Sequence, residues 1–162
     1  MAFNFSGIVI NKNYEGQVEE LGEALGFQLN YDCPISYEEA SKNWKEDGMC
    51  DIFFSKSGTL MFLPMELCIK DYFIEQQQVL TFAYSDNSMA FNLSYYEGTA
   101  CKRKILEVSE HRITDSGDLL SEETADTDVS ELIFDQIGKV LGLDFWEMDD
   151  DLKATRYVIV SQ

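Results

Sequence analysis

The chain is poor in the residues from which most familiar active sites are built. Among 162 residues there is one histidine, and Lys and Arg together number 12. With His111 alone, clustered-histidine zinc sites and two-histidine iron sites are excluded. No CxxC pair occurs, which removes a zinc knuckle built on paired cysteines. Cys33, Cys50, Cys68 and Cys101 are widely and unevenly spaced, a pattern that fits reduced, mostly buried thiols of a cytoplasmic protein rather than a disulfide framework. No apolar run approaches the roughly 20 residues needed to span a bilayer. No basic segment precedes Phe3 and Phe5, so no secretory leader is expected.

Catalytic motifs are equally scarce. A Cys–His dyad would have to bring His111 to a cysteine across the fold, yet Cys50 and Cys101 sit at strand starts, where burial is the ordinary fate of cysteine. GxSxG is missing, and Ser55–Gly58, "SKSG", fits a hairpin turn. The pairs Gly22/Gly26 and Gly138/Gly142 fall within or at the ends of helical patterns, whereas anion sites need glycines ahead of a helix. Lys139 follows Gly138 without the rest of a P-loop. The segment "WEMDDD" could offer Asp149 and Asp151 to Ca²⁺ or Mg²⁺, but it lacks the spacing and glycine of an EF-hand, and adjacent aspartates are ordinarily solvated. No catalytic residue, metal ligand or cofactor is assigned from the sequence.

What the chain does hold is apolar matter and acid. An apolar share of 45%, with 11 Phe, 8 Tyr and 2 Trp, is enough for a folded core, and residues 1–162 read as a single domain. The 30 acidic residues give a net charge of −18. They are unevenly spread: residues 107–151 carry 15 acids against Arg112 and Lys139, a net of −13. Repulsion from phosphates disfavours nucleic acid and anionic membranes as partners, while a basic protein would be attracted.

Periodicity and turn signals place the elements. "SGIVIN" (6–11) reads as a strand. Tyr14, Val18, Leu21 and Leu25 form one helical stripe that stops at Gly26, and Val129, Ile133, Ile137, Val140 and Leu141 form another that stops at Gly142. Both helices carry an internal glycine, Gly22 and Gly138, which close packing against a sheet would justify. Ser36 and Glu39 have capping-box spacing for a short helix with Tyr37, Ala40 and Trp44 inward, stopping at Asp47-Gly48. "CDIFFSKSGTLMFLP" is a hairpin turning at 56–58, and residues 79–108 are a three-strand meander turning at Asp86-Asn87 and Glu97-Gly98. Residues 64–78 read as either helix or loop. Residues 109–128 read as an acidic loop, and Tyr157–Val160 as a last strand. Lys102-Arg103-Lys104 alternates faces as a charge-protected edge strand would. The expected fold is α+β: a mostly antiparallel sheet, meander plus hairpin, with two to three helices packed on one face.

A serine–acid–x–serine turn (Ser85–Ser88), an aromatic strand (Met89–Tyr96), Gly98 followed by Arg103, and a Leu-x-Glu-Glu segment (Leu120–Glu123) occur together in the second half. In these elements the chain resembles small bacterial proteins that are similar in size and acidity to immunity proteins of toxin systems. The −13 segment, placed partly on a loop and beside Phe145 and Trp146, points to a non-enzymatic acidic module that binds a basic protein such as a nuclease toxin, in the manner of an immunity-type inhibitor. No catalytic residue comes with the resemblance. On this reading the contact residues are Glu122, Glu123, Trp146, Asp149, Asp150 and Asp151: acids to steer association, and an aromatic to anchor it. One alternative is an enzyme or small-ligand protein with a pocket between sheet and helices; another is a homo-oligomer joined through an exposed strand.

Overall fold

Strand-forming segments dominate the chain and pair into one sheet. The structure is a computed structural model that describes residues 4–121 and 123–161. Its strands are β1 (Asn4–Ile10), β2 (Gln28–Ser36), β3 (Met49–Phe54), β4 (Thr59–Phe62), β5 (Gln78–Ser85), β6 (Ala90–Glu97), β7 (Ala100–Val108), β8 (His111–Gly117) and β9 (Lys153–Ser161). They form a nine-stranded sheet in the order β2-β9-β3-β4-β1-β5-β6-β7-β8, every neighbouring pair antiparallel. The helices are α1 (Val18–Leu25), α2 (Tyr37–Ser41) and α3 (Val129–Leu141), with 3-10 turns at Met65–Ile69 and Phe145–Glu147. Among the described residues no helix is long and apolar enough to cross a membrane.

The α+β class, the hairpin and the meander agree with the sequence reading, but the sheet is larger than a meander plus a hairpin. It recruits β1, β2, β8 and β9, and the β2–β9 pairing joins residues near opposite ends of the chain. The helices also cover both faces, not one. Central strands are apolar on both sides: Ile8, Val9 and Ile10 are fully buried, as are Leu60, Met61, Phe62 and Leu63. Each face of such a strand needs its own cover. Phe5 and Val9 point to the side closed by α2 and α3, where they join Phe62, Phe82, Phe134 and Phe145. Ile8 and Ile10 point to the side closed by α1 and the 65–72 segment, where they join Leu21, Leu25, Leu67 and Tyr72.

Four further expectations change. Residues 111–117, placed in the acidic loop, are the edge strand β8; Arg112 and Asp115 make it read as loop, yet it pairs with β7 along its length. Lys102, Arg103 and Lys104 therefore lie on β7, an inner strand, and not on an edge. The short helix α2 starts as expected, with the Ser36 hydroxyl accepting the Glu39 N–H at 3.2 Å, but it ends at Ser41, short of Gly48. Of the residues read as its inner stripe, Tyr37 and Ala40 are buried while Trp44 is half-buried. Residues 64–78 are neither helix nor plain loop: a 3-10 turn at Met65–Ile69 precedes an irregular run.

Both edges of the sheet are blunted. β2 carries Pro34 and two register shifts, and β8 carries charge and a shift against β7, features that discourage strand addition. The β3–β4 turn has a second task. The Ser55 and Ser57 hydroxyls both donate to the carbonyl of Leu141, at 2.6 and 3.3 Å, satisfying the C-terminus of α3. That fixes the position of α3 over the sheet, and with it the segment that follows.

Candidate functional site

Residues 142–148 leave α3 through Gly142, whose left-handed backbone (φ 78°) ends the helix, and fold straight back against it. Asp144 starts the 3-10 turn: its Oδ1 accepts the Trp146 N–H at 2.9 Å, and its carbonyl accepts the Glu147 N–H at 3.1 Å. The turn buries Phe145 in the core and directs Trp146 outward. The indole nevertheless has a firm base. It packs on Phe134 with centroids 4.6 Å apart and edge-on to Phe145 at 5.4 Å, and these two phenyl rings sit 4.8 Å from one another. The side chain is 62% exposed.

Beside the indole lies a cleft of about 390 Å³ between α3 and the returning chain. Its walls include Phe134 and Leu143, with Asp135 and Asp144 as acids and Lys139 as a base. Lys139 Nζ also reaches the hydroxyl of Ser121. Gly138 contributes no side chain to the wall, which keeps the cleft open on the helix side. An exposed aromatic on a rigid aromatic base, bordered by carboxylates, is suited to hold a cation.

Five of the six expected contact residues lie among the described residues, and they differ in exposure. Trp146 is exposed at the cleft, joined there by Asp135 and Asp144, which the sequence reading did not single out. Asp149, Asp150 and Asp151 are exposed on the turn into β9. That turn docks on α2: the Asp150 carbonyl accepts the Glu38 N–H at 3.0 Å and the Leu152 carbonyl accepts the Tyr37 N–H at 2.7 Å. Burial, and then the nearby Asp150, push the Tyr37 phenol well above its ordinary value. Glu122 lies outside the described residues.

Glu123 faces inward. Its carboxylate is clamped by Arg103 and also accepts the Leu120 N–H at 3.1 Å. Arg103, on β7, is 2% exposed; it also reaches Asp115 at 2.6 Å and the Ser116 carbonyl at 2.8 Å. A signal for this was available, because strand alternation sets Arg103 opposite to Lys102 and Lys104, and a guanidinium turned into a core must find carboxylates. A second buried acid, Asp51 on β3, is held by Arg156 at 2.8 and 3.0 Å and by Lys45 at 2.7 Å. Arg103, outside residues 107–151, offsets Asp115 and Glu123 of that acidic segment, and Arg112 pairs with Glu107 within it.

The four thiols form no disulfide among the described residues, and Cys50 and Cys68 share one core cluster. Cys50 and Cys68 are buried, and burial pushes both thiols up, that of Cys68 to about 12. Cys101, expected to be buried at its strand start, is exposed beside the β6–β7 turn. His111 is exposed at the start of β8. Among the described residues no three His, Cys, Asp or Glu side chains converge as metal ligands would. No protein-family model, curated protein or solved structure matches the chain, so the site is defined by its own geometry.

Proposed function

We propose that the protein is a non-enzymatic, cytoplasmic binding module whose Trp146 cleft takes an Arg or Lys side chain of a basic protein. One observation carries this reading: an indole 62% exposed, seated on Phe134 and Phe145, with Asp135 and Asp144 in the adjoining wall. A cation over a tryptophan face gains about 0.5–1 kcal/mol when exposed and about 2 or more once desolvated. Seating the ring beforehand reduces the entropy lost on binding. The net charge of −18 would steer a cationic partner and repel nucleic acid. Inhibition of a basic nuclease toxin, in the manner of an immunity-type inhibitor, is one partnership of this kind, with Asp149, Asp150 and Asp151 extending the acidic field.

The test is an affinity capture from source-cell lysate with the wild-type chain and Trp146→Ala side by side, at low and high salt. A basic protein held by the wild type at low salt, weakened at high salt and lost from the variant supports the reading. Equal capture by both chains removes Trp146 from the interface and refutes it.

A further inference from the structure

We propose that a second cleft, between the sheet and the adjacent flank of α3, binds a small zwitterion of amino-acid size. The cleft holds about 430 Å³, within the range of roughly 300–1,000 Å³ typical of small-molecule sites. Its floor is unusual in one respect. Gln136 belongs to the inner stripe of α3, with Leu132 and Val140 one turn either side, and is only 4% exposed. Its amide lines the cleft and has no hydrogen-bond partner among the described residues. The amide opens onto the cleft, where water or a ligand must pair it, and a helix stripe would ordinarily place an apolar residue there. A ligand that both donates and accepts would satisfy it.

The remaining walls supply both signs of charge. Tyr95, 5% exposed, donates its phenolic proton to Glu97 Oε2 at 3.0 Å and so fixes that carboxylate at the mouth. Lys102 stands on the neighbouring strand and ends in no ion pair among the described residues. The Asp118 N–H donates to the Lys102 carbonyl at 3.0 Å, which draws the 118–121 segment over the opening. Leu119, 60% exposed, adds apolar cover at the rim. An α-amino acid matches this set: its ammonium toward Glu97, its carboxylate toward Lys102, and its polar centre against Gln136. Asp118 and Lys139 also line the cleft, so acids and bases number two each, and a simple anion or cation would leave one sign of charge unanswered.

The experiment is two-dimensional ¹⁵N NMR of the full chain titrated with pools of the proteinogenic L-amino acids at millimolar concentration. At least one amino acid is expected to shift the Gln136 side-chain NH₂ and the amides of residues 118–121 saturably. Gln136→Leu and the exposed Lys102→Gln should each weaken binding by roughly tenfold or more, since each removes a polar contact worth about 1.4 kcal/mol or more. Trp146→Ala should leave it unchanged, which separates this site from the Trp146 cleft. The same amino acid capped as its N-acetyl amide should fail to bind; retained affinity would overturn the zwitterion assignment. No saturable shifts in any pool, or shifts that survive both variants, would overturn the site itself.

Discussion

Arg103 and Glu123 form a two-point ion pair inside the protein, Nε to Oε1 at 2.9 Å and Nη2 to Oε2 at 2.5 Å, with side chains 2% and 3% exposed. The pair ties the inner strand β7 to the segment between β8 and α3. Removing one partner strands a buried charge, which costs about 3–5 kcal/mol, whereas replacing both with apolar residues of similar volume is often close to neutral. Glu123→Ala should therefore lower the unfolding free energy by about that amount, and Arg103→Met/Glu123→Leu by much less. Urea denaturation of both variants checks this, and equal losses would show that the charge on Arg103 is answered by water or by Asp115 alone.

The same pair governs the response to acid. Burial raises the Glu123 pKa, but the hydrogen bonds from Arg103 and the Leu120 N–H outweigh it, so the folded value lies below the ordinary 4.5. Arg103 and Arg112 hold Asp115 below its ordinary 3.8, and Lys104 with Ser94 does the same for Asp71 against the effect of burial. Groups depressed in this way contribute stability above their unfolded values and lose it as pH falls through the folded ones. The self-repulsion of a −18 chain acts oppositely, easing as the first carboxylates take up protons. Stability should thus peak on the acid side of neutrality, at about pH 5, and fall below about pH 4. Urea midpoints across pH test this; a midpoint still rising below about pH 4 would mean that repulsion outweighs the ion pairs.

The two internal helix glycines, alike in sequence, should respond oppositely to substitution. Each accepts two amide protons at its helix end, Gly26 and Phe27 donating to the Gly22 carbonyl, Gly142 and Leu143 to that of Gly138. A Cβ on Gly22 would come within 2.5 Å of the Phe27 carbonyl oxygen, which is backbone and cannot yield. On Gly138 the nearest atom, Asp144 Cα, is 3.5 Å away, an ordinary contact. Gly22→Ala should cost about 1–3 kcal/mol from overpacking. Gly138→Ala should gain about 0.5–1 kcal/mol from helix propensity. Thermal melts of the two variants give the signs directly.

That contrast marks how far sequence could reach. The Leu-Gly terminations of α1 and α3, the hairpin and the meander were legible because local turn chemistry and periodicity carry them. β8 was not, since an edge strand exposed on most residues has no apolar alternation to betray it. β2 was hidden by Pro34, Asp32 and its irregular register. The two-sided cover of the sheet was present in "TLMFLP", an unbroken apolar run where a one-sided strand would alternate. Trp146 was picked out in the sequence with acids sought further along the chain, whereas the reversal at Gly142 brings Asp144 and the earlier Asp135 to the cleft beside it. Gln136 was overlooked although its spacing from Leu132 and Val140 places it among core positions.

Trp146 also supplies its own reporter. In a Trp44→Phe background the only indole left is that of Trp146, and titration with a short arginine-rich peptide should change its fluorescence saturably. Asp144→Asn tests the electrostatic part without dismantling the turn, because an asparagine oxygen can still accept the Trp146 N–H. Each carboxylate lost from the wall should weaken the peptide by roughly 3- to 10-fold at low salt, and by less as salt rises, as expected for partly exposed charges. Combining Asp144→Asn with Asp135→Asn should then flatten the salt dependence of binding. If the peptide changes the fluorescence equally with and without these carboxylates, the indole is meeting it through apolar contact alone, and the cleft is not selecting a cation.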